Sequence, residues 1–268
     1  DVYFIHIAED LLPDDLPQHL NSRPADEELI DQMRESIRKN LPQANFDVHI
    51  EVHEGETFEK LLRLSRIKSC DLMIFGVKAE EESGSGLNPL RLLRNASCST
   101  LLVPPRTNYS LNHLACAVDF SEHSKLVVKK VEALAGEGTL LNYIHFFKSS
   151  FHYLRAAESS REAQDHLKQK ASERWLEFCR DLVDKPRQLE LLPMGTEGPE
   201  LRLQQLCAER DIDLLIIGSK GQTASVSTLI GSFAEKVASA MLQCPLLVAR
   251  HKGENFDLVR LLIDFTSH

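Results

Sequence analysis

Four residues near the end of the chain have types and spacing that suit phosphate chemistry. In "GSKGQTASVSTLIGS", Gly218 and Gly221 stand three apart, nine residues intervene, and Gly231 is joined at once by Ser232. The apolar run "IDLLII" precedes them and "SFAEKVASAML", with helical spacing, comes after. A glycine at the carboxyl end of a strand lets backbone approach a ligand closely. A helix opened by Gly231–Ser232 would present free N–H groups, the positive end of its dipole and a hydroxyl, with Ser232 as a candidate N-cap. The chemistry predicted is a phosphate cradle made from one loop and one helix N-terminus. It is neither a P-loop, since no GK[ST] occurs, nor GxGxxG. Turn glycines and a capping serine are the plain alternative.

The elements that must hold this cradle come as the same unit twice. "FIHIAED" at 4–10 resembles "YIHFFKS" at 143–149, "CDLMIFGVKA" at 70–79 resembles "IDLLIIGSKG" at 212–221, and "CSTLLVPPR" at 98–106 resembles "CPLLVARHK" at 244–252. The order is shared, and the seam falls near residues 106–110. In the second copy, "HLACAVDF" is short, apolar and without alternation, as in a strand buried on both faces of a parallel sheet. Strands and helices then alternate to Arg250, which predicts parallel α/β units with right-handed crossovers.

Bulk properties narrow the classes. The chain has 268 residues, 43% hydrophobic and 26% charged, with net charge −9, which argues against a general nucleic-acid binder. No apolar run approaches the roughly 18 residues of a membrane span. Six cysteines without a CxxC pair read as buried free thiols in a reducing, cytoplasmic setting.

Gly-x-x-Gly, nine residues, then Gly-Ser resembles the ATP-binding signature of the universal stress protein family. "AVDFSEHS" and "YIHFF" resemble its first strand and turn and its second strand. The resemblance covers nearly the whole chain as two family domains. It implies two doubly wound parallel five-stranded sheets of the adenine nucleotide alpha hydrolase type, repeated about a pseudo-twofold axis. Residues 1–108 would form a domain with a degenerate loop, and 109–252 one with the intact motif. The resemblance implies that Asp119 contacts the ribose or a phosphate-bound metal, and that Ala117 and Phe146 line the adenine pocket. Ile217 and Phe233 would flank the glycines, while Gly218, Gly221, Gly231 and Ser232 hold the phosphates and Lys220 adds a charge. The plainer roles are a turn or cap for Asp119, an exposed loop lysine for Lys220 and a packed core histidine for His145. The ligand would be ATP, ADP or AMP, with or without Mg, with no catalytic residue and at most slow ATPase activity. The expected partners are the nucleotide and the chain's own other half as a pseudo-dimer, with a homodimer compatible, and neither nucleic acid nor membrane. A nucleotide-independent scaffold is the alternative function.

The first copy departs from the motif. Gly76 stands, but Ala79 replaces the second glycine, Glu80, Glu81 and Glu82 would repel phosphate, and Gly84, Ser85 and Gly86 come too early. It also begins at its second strand. "LLIDFTSH" at 261–268 resembles "CAVDFSEH" at 116–123, so residues 256–268 could complete the first domain as its first strand. Circular permutation, numbering that does not follow gene order, and the start of a third repeat all account for it. The fifth strands, "LLVPP" at 101–105 and "LLVAR" at 246–250, are apolar edges that invite pairing, and the resemblance implies that they pair antiparallel.

Overall fold

The computed structural model describes residues 1–8, 25–42, 45–77, 88–105, 110–147, 157–183, 187–194, 197–221, 230–240 and 244–251. It divides into two compact units, residues 1–64 and 65–268.

The first unit holds β1 (Val2–Ala8), α1 (Ala25–Asn40), β2 (Val48–Glu54) and most of α2 (Thr57–Ile67). β1 and β2 pair in parallel, from Val2 opposite Val48 to Ala8 opposite Glu54. α1 packs on β2. Its first turn carries Asp26, Glu27 and Glu28 and its last turn Arg38 and Lys39, which complements the helix dipole at both ends.

The second unit contains β3 (Leu72–Gly76), α3 (Pro89–Asn95), β4 (Ser99–Val103), β5 (His113–Ala117), α4 (Glu122–Leu134), β6 (Leu140–Phe147) and α5 (Ala157–Cys179). It continues with β7 (Leu189–Pro193), α6 (Pro199–Glu209), β8 (Leu214–Gly218), α7 (Ser232–Ser239) and β9 (Leu246–Ala249). Its sheet runs β3-β4-β9-β8-β5-β6-β7. Every pairing is parallel except β4 with β9, where Thr100, Leu101 and Leu102 face Val248, Leu247 and Leu246. The expected antiparallel join of the fifth strands is therefore present.

The core follows the period-two geometry of the central strands. Leu215 and Ile217 of β8 face one layer, with Leu203 and Leu206 of α6 and Ala234 and Val237 of α7. Leu214 and Ile216 face the other, with Val127, Val128 and Val131 of α4 and Trp175 of α5. Helices on both faces require strands that are apolar throughout, and "LLII" is.

The second repeat has the strand order β7-β6-β5-β8-β9, that is 3-2-1-4-5, the doubly wound arrangement expected. The first repeat is split. Its strands 4 and 5 (β3 and β4) join the seven-stranded sheet, and its strands 2 and 3 (β1 and β2) form a separate sheet. The order 3-2-1-4-5 explains the break: strand 1 is the link between 2 and 4, and no described strand of the first repeat fills that slot. The tail at 256–268 and residues 78–87 of the degenerate loop lie outside the described residues.

None of the six cysteines is in a disulfide; five are buried and Cys70 partly so. Among the described residues no group of three or more His, Cys, Asp or Glu is placed to hold a metal ion. No described helix is long and apolar enough to cross a membrane.

Candidate functional site

The carboxyl ends of β5 and β8 lie side by side, because these strands pair with Cys116 opposite Ile216. The chain leaving β5 turns at Asp119. Its Oδ1 accepts from the Ser121 N–H at 3.0 Å and from the Ser124 hydroxyl at 2.6 Å, and the Asp119 N–H donates to Ser124 Oγ at 2.9 Å. Ser121 caps α4, accepting the Ser124 N–H at 3.2 Å. The turn role weighed for Asp119 is thus real. It occupies Oδ1, whereas Oδ2 is turned toward the glycine loop: a Cβ on Gly221 would meet it at 2.8 Å.

That contact brings the two halves of the site together. Gly218 is crowded as well, since an added Cβ would meet the Lys220 carbonyl oxygen at 3.2 Å and both His123 Cβ and Val127 Cγ2 at 3.5 Å. Gly231 closes the cradle. Its N–H donates to the Ser219 carbonyl at 2.8 Å, and an added Cβ would lie 3.4 Å from that oxygen and 3.5 Å from Lys220 Cα. The loop needs glycine because backbone crowds Gly218 and Gly231 and the Asp119 carboxylate crowds Gly221. Gly76, the first repeat's counterpart of Gly218, has no described atom within 4 Å of an added Cβ.

Ser232 is not the N-cap. Gly231 holds that position, with φ −74° and ψ 150°, and its carbonyl accepts the first helical bond from the Glu235 N–H. Ser232 is already the first helical residue and is exposed. No described side chain caps α7. The N–H groups of its first turn have no helical acceptor and point out of the helix beside the Gly218–Gly221 loop. α4, whose N-terminus lies at the same end of the sheet, is capped by Ser121.

The other expected residues fall around this point. Ala117 ends β5; Ala117, Phe146 and Phe233 are partly buried against the core layer that contains the fully buried Ile217. Lys220 is half-buried, not an exposed loop lysine. His145 is packed as anticipated, and its ring Nδ1 lies 2.8 Å from the Val118 carbonyl. Burial holds its pKa below the ordinary 6.5; the Val118 bond and Asp119 oppose that shift, and Arg174 adds to it. Neutral imidazole with Nδ1–H donating to Val118 fits these surroundings. Residues 222–229 of the motif lie outside the described residues.

Sequence reasoning gave no role to Phe120, Ser121 or Ser124. The serines had a readable signal, the Asp-x-Ser-x-x-Ser pattern of a helix start. Phe120 had none. It has φ +63°, the left-handed region that a bulky residue enters at a cost of roughly 1–2 kcal/mol. Its ring lies 4.3 Å from His145, 5.7 Å from Phe178 and 6.3 Å from Trp175, with the Arg174 guanidinium 5.1 Å from its centroid.

The family model described as the universal stress protein family matches residues 111–250, which carry the whole of this site. The chain belongs to the universal stress protein family. Solved structures agree in fold. A functionally unknown protein from Pseudomonas aeruginosa PAO1 superposes with TM-score 0.67 at 15% identity, covering 97% of this chain and 85% of that one. A second protein, from P. aeruginosa UCBPP-PA14, gives 0.67 at 16%, covering 97% and 86%. A universal stress protein from Archaeoglobus fulgidus DSM 4304 gives 0.50 at 14%, covering 88% and 82%. No curated protein matches the chain. The universal stress protein fold thus extends, by structural likeness, well beyond the residues that the family model matches.

Proposed function

We propose that this universal stress protein binds an adenine nucleotide in its second repeat and acts in a stress response through that binding. The observation that carries the reading is the convergence of Asp119, the crowded Gly218–Gly221 loop and the side-chain-uncapped N-terminus of α7 at one end of the sheet. The donor set suits the parts of the ligand. Backbone N–H groups at a helix N-terminus with Lys220 beside them suit phosphates, a carboxylate suits ribose hydroxyls, and Ala117, Ile217, Phe146 and Phe233 offer apolar surface for a base. ATP, ADP or AMP is the expected ligand, and Asp119 is the group that would meet a phosphate-bound Mg. The site is cytoplasmic in this reading, with the two halves of the chain serving as each other's partner.

Calorimetric titration tests it. ATP should bind the unaltered chain at a single site, since the first repeat has Ala79, Glu80, Glu81 and Glu82 where the second has Gly221, Gln222, Thr223 and Ala224. Gly231→Asp adds a carboxylate at the helix N-terminus, and Gly218→Val forces a side chain against Lys220 and His123. Each should weaken binding roughly tenfold or more, about 1.4 kcal/mol. Two equal sites, or undiminished affinity in both variants, would favour the nucleotide-independent scaffold.

The repeats also define the domains we infer: 1–108, completed by 256–268 as its first strand, and 109–252. Support comes from β3 against its counterpart β8. Leu214, Leu215, Ile216 and Ile217 of β8 are 4% exposed or less, whereas Leu72 and Ile74 of β3 are 42% and 63% exposed. β8 has β5 on the edge away from β9; β3 pairs with β4 on one edge and with no described strand on the other.

A further inference from the structure

Resting on the nucleotide reading above, we propose that Phe120 is a positioning residue of the site: its ring anchors the turn that aims Asp119 at the glycine loop. Three observations converge on it. First, Phe120 sits between Asp119, whose Oδ2 faces Gly221, and Ser121, which caps α4. Second, its backbone has φ +63°, the left-handed region, directly after the carboxylate, and this conformation persists only where the surroundings impose it. Third, the surroundings are identifiable. The Phe120 ring lies tilted against His145, which is itself bonded to the Val118 carbonyl immediately before Asp119, and the Phe178 and Trp175 rings and the Arg174 guanidinium of α5 also surround it.

Glycine or asparagine would satisfy φ +63° more easily, but neither has a ring to be held. The phenylalanine exchanges local comfort for an anchor on α5 and β6. The turn has two attachments as a result. Ser121 and Ser124 fix Oδ1 from the α4 side, and the Phe120 ring fixes the backbone from the α5 side. With the second attachment gone, the Asp119–Ser124 pair remains but the turn can swing as one piece, and Oδ2 loses its place opposite Gly221. Phe120 touches no part of the glycine loop among the described contacts; it acts through Asp119 alone, so in Mg-free buffer, where that carboxylate has no phosphate-bound metal to meet, its signature is ribose recognition, not phosphate affinity.

The test compares ATP with 2′,3′-dideoxy-ATP by calorimetry in Mg-free buffer on the full chain and on Phe120→Gly, Phe120→Tyr and Asp119→Ala, with circular dichroism to establish folding. Phe120→Gly keeps the backbone conformation available and removes the anchor. It should lose roughly tenfold in ATP affinity and little in dideoxy-ATP affinity, so that discrimination falls to that of Asp119→Ala, since a displaced polar contact is worth about that factor. Phe120→Tyr should restore discrimination. In the absence of ligand, a double-mutant cycle of unfolding stability between Phe120→Gly and Asp119→Ala should be non-additive. Unchanged discrimination in Phe120→Gly, equal loss of both nucleotides, or strict additivity overturns the inference while leaving nucleotide binding intact. No binding of either nucleotide to the unaltered chain overturns the nucleotide reading and this inference with it.

Discussion

At the residue scale, His145 shows how the site's chemistry is tuned by packing. Burial favours its neutral form and lowers its pKa from 6.5. The unfolded chain therefore binds a proton at a pH where the folded chain does not. Above pH 6.5 this costs nothing. As pH falls below 6.5 the folded state is penalised, and the penalty stops growing below the folded pKa. Urea unfolding between pH 7.5 and 5 should show stability falling with acidification, and His145→Gln should flatten part of that slope. An unchanged slope in the variant would mean that other groups carry it. The consequence reaches the site, because His145 supports both the Val118 carbonyl and the Phe120 ring.

At the element scale, the join between the repeats is stronger than a strand pair. Arg250, directly after β9, is 3% exposed. Its guanidinium donates to the carbonyls of Ala96 and of Leu93, the latter at 2.8 Å, at the C-terminal end of α3. The Ser99 hydroxyl donates to the Arg250 carbonyl at 3.3 Å and accepts its N–H at 3.1 Å. Arg94 of α3 also pairs with Glu235 of α7 at 2.7 Å, though that pair is partly exposed and contributes little. One buried fork thus bridges two carbonyls at the C-terminal end of α3. Arg250→Met keeps volume and removes the donors, leaving buried acceptors unpaired. It should cost about 2–4 kcal/mol in denaturant unfolding. Arg250→Lys should recover only part of that, since an ammonium lacks the planar guanidinium fork that reaches both carbonyls from separate nitrogens. Full stability in Arg250→Met would show the carbonyls to be hydrated.

At the scale of the whole molecule, the two repeats differ in how fully their sheets are covered. β3 exposes Ile74 and Leu72 where β8 buries Ile216 and Leu214. Covering such a side chain is worth about 1.5–3 kcal/mol. The proposal that 256–268 supplies the missing strand predicts that removing residues 252–268 speeds amide exchange at 72–76 and leaves 214–218 unchanged. Exchange equally slow in both chains would refute that assignment. Concentration-dependent protection would assign the strand to a second copy.

The sequence by itself determined the repeat, the α/β alternation, the apolar edges "LLVPP" and "LLVAR" and the glycine motif. Each of these is written locally, as period, apolar run or spacing, and local signals survive in one dimension. It also placed Asp119 beside the glycines, through resemblance to a family, and the fold brings them together. Tertiary structure alone decided that Gly231 and not Ser232 caps α7, because a cap is defined by where the first helical bond begins. Structure alone also divided the first repeat between two sheets, exposed β3, buried Arg250 under α3 and placed Phe120 in a left-handed turn against α5. These features depend on residues far apart along the chain meeting in space, as Arg250 meets Leu93 and Phe120 meets Arg174. No spacing rule along the chain encodes such a meeting.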